Sequence, residues 1–145
     1  MFSIEGSVLK SYVEFRTDLF PPCSENTDEW EGAVWGRSLA IYLDEKLKQS
    51  GIPSAGICAE DWGYIVNFGA PFDSNIWIGC GKYEEYKDGY LLIIEPKKAI
   101  IKRWFKPNID LTQQLEQLTD ALKQILEAEP LIHDIKWWTA EEFEK

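Results

Sequence analysis

Three apolar, aromatic-rich runs between Trp62 and Pro96 form the most regular hydrophobic pattern of the chain. In the first run the large side chains occupy every second position, which is typical of a half-buried strand. The third run, YLLIIE at 90–95, is apolar on both faces, as expected of a central strand. Asp88-Gly89, immediately before it, is a hairpin signal. The pattern therefore predicts an antiparallel meander over residues 62–95.

Two stretches have the spacing of amphipathic helices. Leucines recur at every fourth position within residues 34–50, and Gly51 follows as a stop signal. Leucine and isoleucine follow a 4-3-4-3 spacing within residues 111–128, where Asp110 is placed to cap the first turn and Pro130 ends the pattern. We expect both helices to pack on one face of the sheet.

Shorter segments complete the predicted order. Residues 8–17 alternate partly and predict a half-exposed strand, and residues 131–138 predict a final strand. The i, i+4 spacing within residues 100–105 favours a short helix over a strand. Together these elements predict an α+β fold with an antiparallel-dominated sheet, and the length predicts a single domain over residues 1–145.

The charge narrows the classes of partner. The chain carries 25 acidic and 15 basic residues, for a net charge of −10. A negative field repels phosphate backbones and anionic lipids, so we expect no nucleic-acid partner and no membrane partner. The same field speeds association with a basic protein. Residues 97–106 form a local basic run, which we interpret as a solvated helix surface or as a charge partner for acidic residues of the same chain.

The cysteines point to a reducing compartment. Cys23, Cys58 and Cys80 are widely spaced, odd in number and lack a CxxC pair. The first residues, MFSIEGSVLK, lack the apolar core of an export signal. No stretch approaches the roughly 18 apolar residues of a membrane span. These features predict a cytoplasmic protein.

Residues able to carry chemistry are scarce. His133 is the single histidine, and no histidine or cysteine cluster has metal-ligand spacing. Cys80 lies between Gly79 and Gly81, glycines that predict close approach of a neighbouring backbone or a bulge. We interpret His133 and Cys80 as structural, and we predict no catalytic residue, metal or cofactor.

Acidic and aromatic residues meet at two turns that flank the meander. One precedes the first central strand and the other precedes the third, and antiparallel pairing would bring both to the same end of the sheet. Tyrosine and tryptophan beside carboxylates suit recognition of a basic protein surface, although solvated turns, a divalent-cation site or a hydrolase pair would also use such residues. The candidate partner-binding residues are Glu60, Asp61, Trp62, Tyr83, Glu84, Glu85 and Tyr86.

Three segments carry a resemblance: AEDWGY at 59–64, WIGCGKYEEYKDGYLLIIEP at 77–96 and HDIKWW at 133–138. Together they resemble a family of short bacterial cytosolic proteins of unknown function. The resemblance spans most of the chain and implies an intact domain, without implying a catalytic residue. In size and acidity, though not in motif, the chain is also similar to immunity proteins that neutralise bacterial toxins.

Three classes of function follow, of which a structural or assembly subunit is the least specific. The first is a non-catalytic protein-binding module, most specifically an immunity protein that covers the basic surface of a toxin. The alternative is a small-molecule-binding protein or a hydrolase-type enzyme that uses acidic residues at the ends of an aromatic sheet. A buried cleft lined by Trp62, Trp77 and Tyr90 would favour the alternative. The oligomeric state is left open by the sequence.

Overall fold

The computed structural model describes residues 9–20 and 36–144. Within these residues, strands and helices follow an order that agrees with the predicted α+β fold. The elements are β1 (Tyr12–Thr17), α1 (Arg37–Gln49), β2 (Gly56–Glu60), β3 (Gly63–Asn67), β4 (Trp77–Lys82), β5 (Gly89–Glu95), β6 (Ile100–Ile101), β7 (Ile109–Asp110), α2 (Thr112–Ala128), β8 (Ile132–Trp138) and α3 (Ala140–Phe143).

Six strands form one antiparallel sheet in the order β2-β3-β4-β5-β1-β8. The predicted meander is confirmed as β3, β4 and β5, and the edge strand β2 extends it by one hairpin. Strand β1 inserts between β5 and the C-terminal β8, so the two ends of the described chain are neighbours. The short strands β6 and β7 form a separate hairpin.

Both main helices pack on one face of the sheet, as the spacing of their leucines predicts. Leu39, Leu43 and Leu47 of α1 are fully buried. The leucines of α2 join the same core, which also contains Val13, Phe15 and the other inward-facing strand residues. The amide of Thr112 donates to Asp110, which lies one residue before the helix N-cap, Leu111. Asp110 therefore stabilises the start of α2 from just outside it.

The opposite face, called the outer face below, is only partly covered. Over β1 and β8, α3 lies on it: the Phe143 ring stacks on Tyr12 at 4.4 Å between centroids. The Tyr12 hydroxyl also donates to Glu144 at 2.6 Å. Thr139 and Glu142 form a capping box that fixes the first turn of this short helix. The outer face over β3 and β4 carries other aromatic residues and belongs to the site described below.

Two predictions from the sequence are wrong. Strand β1 is not half-exposed: it is central, and Tyr12 and Glu14 on its outer face are 6% and 5% exposed. Glu14 is tolerated there because the indole Nε1 of Trp138 donates to it at 2.9 Å. Residues 100–105 do not form a helix. Ile100–Ile101 pair with Ile109–Asp110 instead, and residues 102–108 form the tip of that hairpin.

Candidate acidic-aromatic binding site

The two predicted turns leave the sheet at the same end. Gly63, the first residue of β3, lies opposite Gly81 near the end of β4. The turn before Gly63 therefore adjoins the loop that follows β4. The sequence prediction that these segments meet is supported by this register. We call this region the acidic end; its members are Glu60, Asp61, Trp62, Tyr83, Glu84, Glu85 and Tyr86.

Trp62 packs against two glycines of β4, Gly79 and Gly81. A Cβ atom added to Gly79 would lie 2.7 Å from Cη2 of the Trp62 indole, and one added to Gly81 would lie 3.3 Å from the Trp62 carbonyl oxygen. The sequence predicts that a neighbouring group approaches these glycines closely. In the structure, the Trp62 ring approaches Gly79 and the Trp62 backbone approaches Gly81. Trp77 lies beside it, with 6.5 Å between ring centroids. Trp62 remains 41% exposed, so this end of the sheet presents a fixed aromatic surface.

The carboxylates of the acidic end form no ion pair within the described residues. Asp61, Glu84 and Glu85 are exposed and Glu60 is half-buried. The described residues also contain no group of three or more acidic, histidine or cysteine side chains able to hold a metal ion. With four carboxylates against Lys82 and Lys87, the acidic end and the loop beside it carry an excess of negative charge.

The β4–β5 loop, residues 83–88, is tied to β1 rather than free. The Arg16 guanidinium donates to Asp88 at 2.9 Å and lies over the Tyr86 ring, 4.3 Å from its centroid. The amide of Thr17 also donates to the Asp88 carbonyl at 3.0 Å. The hydrogen bond from Arg16 lowers the pKa of Asp88. These contacts leave Tyr86 36% exposed while fixing its ring.

Tyr83 is half-buried, unlike the other two aromatic candidates, Trp62 and Tyr86. Its ring packs 6.2 Å from Tyr86 and 6.1 Å from Phe143 of α3. Burial, with a smaller effect of the Glu14 carboxylate, raises the pKa of Tyr83. Tyr83 therefore packs between the β4–β5 loop and helix α3, whereas Glu84 and Glu85 are exposed to solvent.

Among the described residues, the depression found at the acidic end is open rather than enclosed. This depression, of about 510 Å³, lies beside the loop and is lined by Lys82, Tyr83, Glu84 and Glu85. The cleft that would favour a small-molecule site does not form, because Tyr90 lies on the core face and donates its hydroxyl to the Phe20 carbonyl. Small-molecule sites usually bury most of their ligand, whereas an open surface suits a macromolecule.

The other residues considered for chemistry occupy structural positions. Cys80 is fully buried, and this burial raises the pKa of its thiol far above the usual value, which keeps it protonated. His133 is exposed on β8, with Nδ1 3.0 Å from the Asp134 carboxylate. Cys58 is exposed on the edge strand β2. Cys23 lies outside the described residues.

Sequence reasoning missed one surface feature, at the tip of the β6–β7 hairpin. Trp104 and Phe105 are 86% and 98% exposed there. Their i, i+4 relation to Ile100 and Ile101 favours a helix in which all four would share a buried face. The available signal was Pro107-Asn108, a turn sequence that begins two residues after Phe105.

Comparison with protein-family models, with curated proteins and with solved structures finds no match to this chain. The resemblance to a family of short bacterial cytosolic proteins therefore stays a prediction. None of the described helices combines the length and apolar character needed to cross a bilayer.

Proposed function

We propose that this chain is a non-catalytic protein-binding module that covers a basic surface of its partner, in the manner of an immunity protein acting on a toxin. The observation that carries the proposal is the acidic end itself. Two turns converge there and hold exposed Trp62 beside carboxylates that have no cation partner in the described chain.

Two properties of the acidic end support this proposal: its exposed aromatic rings are held in place, and carboxylates surround them. Trp62 rests on Gly79 and Gly81, and Arg16 holds Tyr86, so binding would order few aromatic rotamers. Rigid tryptophan and tyrosine are the residues most often found at binding hot spots. The surrounding carboxylates raise the rate of encounter with a basic surface and disfavour acidic partners.

A cytoplasmic location fits this proposal. Cys58 and Cys80 are free, Cys58 exposed and Cys80 buried. Unpaired cysteines are typical of a compartment that keeps thiols reduced.

The test is capture of the partner from the native host with two variants of equal charge. In the first variant, the four carboxylates of the acidic end are neutralised: Glu60→Gln, Asp61→Asn, Glu84→Gln and Glu85→Gln. In the matched control, four exposed carboxylates on the helices are neutralised instead: Glu45→Gln, Glu116→Gln, Asp120→Asn and Glu127→Gln. Both variants have a formal net charge of −6, since each loses four of the 25 acidic residues.

We expect the wild-type chain and the control to retain one basic protein at a fixed stoichiometry, and the acidic-end variant to lose it. Because both variants carry the same net charge, a difference between them reports the position of the charge. Equal capture by both variants would contradict the proposed surface. Absence of any stoichiometric basic partner would contradict the proposed function.

A further inference from the structure

The β6–β7 hairpin presents two aromatic rings at its extreme tip. Trp104 and Phe105 are almost fully exposed and contact each other, with 5.9 Å between centroids. Phe105 has φ +64°, in the left-handed region that bulky L residues rarely adopt. Arg103 Nε donates to the Pro107 carbonyl at 3.0 Å and closes the loop. The rings are therefore held outward, away from the core, by an ordered turn.

Positive charge is concentrated behind these rings. Residues 96–107 contain five of the 15 lysine and arginine residues and no aspartate or glutamate. The rest of the chain then has a formal charge of −15. Lys97 pairs with Glu95, while Lys98, Lys102 and Lys106 are exposed and form no ion pair with a described residue. The structure thus separates a cationic hairpin from an acidic body.

The base of this hairpin is anchored and its tip is not. Ile101 and Ile109 pack against the core, and the Leu111 amide donates to the Ala99 carbonyl at 2.7 Å. Trp104 lies three positions after Ile101, which at roughly 3.3 Å per residue places the tip up to about 10 Å further out. That distance is comparable to the Debye length of about 8 Å at physiological salt. The tip is therefore partly screened from the acidic body.

We propose that the tip of the β6–β7 hairpin docks on an anionic lipid surface, inserting Trp104 and Phe105 at the headgroup level while the lysines and Arg103 contact the phosphates. Tryptophan prefers the membrane interface, and juxtamembrane cations are attracted to anionic lipid headgroups. The net negative charge disfavours membranes only when it is treated as evenly spread, whereas the tip of this hairpin carries three cations, Lys102, Arg103 and Lys106, and no acidic residue. This proposal is independent of the acidic end.

The size and shape of the tip favour lipid over a protein or a nucleic acid. Its two rings expose roughly 400 Å² of mostly apolar surface, since an aromatic side chain presents about 150–250 Å². A stable protein interface takes about 800 Å² per partner, whereas a bilayer needs no complementary pocket. The rings are tilted by 59° and contact each other, so they do not form parallel platforms for successive bases.

The experiment is co-sedimentation of the full chain with vesicles of phosphatidylserine and phosphatidylcholine, compared with phosphatidylcholine alone. The test variant is Trp104→Ser with Phe105→Ser. The matched control is Leu131→Ser, which removes a 60% exposed apolar side chain elsewhere. Trp104 and Phe105 make little contact with the core, so the test variant should unfold at the wild-type temperature.

We expect binding to the phosphatidylserine vesicles that weakens as salt rises, at least a tenfold loss in the test variant, and no change in the control. Failure of the wild type to prefer phosphatidylserine vesicles would overturn the proposal, as would equal binding by the test variant. Tip-dependent binding of single-stranded oligonucleotides, or tip-dependent self-association, in place of vesicle binding would overturn it as well.

Discussion

The contact between Trp62 and Gly79 fixes the aromatic surface of the acidic end, and a double-mutant cycle tests it. The perturbation is Gly79→Ala, made in the wild type and in a Trp62→Ala background. In the wild type, the new methyl group would lie 2.7 Å from Cη2 of the indole. Carbon atoms normally pack at about 3.5–4.0 Å, so the ring must move by about 1 Å.

The magnitude follows from the burial of Trp62. With 41% of the residue exposed, the buried part is roughly 150 Å², which at ~25 cal/mol per Å² and with a discount for the compact unfolded chain gives about 2–3 kcal/mol for Trp62→Ala. Gly79→Ala should destabilise the wild type by about 1 kcal/mol, a modest overpacking cost because the indole can shift toward solvent. Without the Trp62 indole, the same change should be close to neutral, because the smaller loss of backbone entropy in alanine offsets the 3.3 Å approach of the new Cβ to Cζ3 of Trp77.

The assay is urea unfolding of all four proteins, followed by far-ultraviolet circular dichroism because the tryptophan content differs between them. The expected coupling free energy between the two sites is about 1 kcal/mol. Independent sites add to within roughly 0.5 kcal/mol. A coupling smaller than that would refute the placement of the Trp62 ring on Gly79.

Three further predictions concern stability and reactivity. Gly63→Ala should lower the free energy of unfolding by about 3 kcal/mol in the same urea assay. The new Cβ would clash with the Cys80 carbonyl oxygen, which belongs to a paired strand and cannot move away. A cost smaller than that of Gly79→Ala would contradict this packing. Arg16 lowers the folded-state pKa of Asp88 below its ordinary value of 3.8, so the pair stabilises the fold above pH 3.8 and loses this contribution as the pH falls through the lowered pKa. Asp88→Asn should therefore flatten the acid limb of a curve of stability against pH. An unchanged acid limb would contradict the pairing. In a Cys23→Ser variant, a thiol reagent should modify Cys58 in the folded state and Cys80 only on unfolding. Fast labelling of both cysteines would show that Cys80 is accessible.

The sheet and the main helices could be predicted because their signals are local. The leucine spacing of α1 and α2 and the alternation within the meander each lie inside one element. The pairing of β3 with β4 then follows because the two strands are consecutive in the chain. Strand β1 was predicted as half-exposed because a glutamate at position 14 indicates solvent. Its partner, Trp138, is 124 residues away in the sequence, so the compensating hydrogen bond is invisible locally.

The candidate site was predictable in position and less so in detail. The sequence places Glu84 and Glu85 in a loop, but it does not show that Arg16 holds Tyr86 or that Phe143 packs on Tyr83. Both contacts depend on β1 and the C-terminal segment closing the sheet. The exposed Trp104 was missed for the converse reason, since aromatic residues at helical spacing normally indicate a buried face.

The most direct measurement of the central claim is the affinity of the purified partner for three proteins: the wild type, the acidic-end variant and the charge-matched helix variant. Titration calorimetry at fixed salt measures each dissociation constant. We predict at least a tenfold weaker affinity for the acidic-end variant, about 1.4 kcal/mol or more, and an affinity for the helix variant close to that of the wild type. Equal weakening of both variants would show that only net charge matters and would contradict a binding surface at the acidic end.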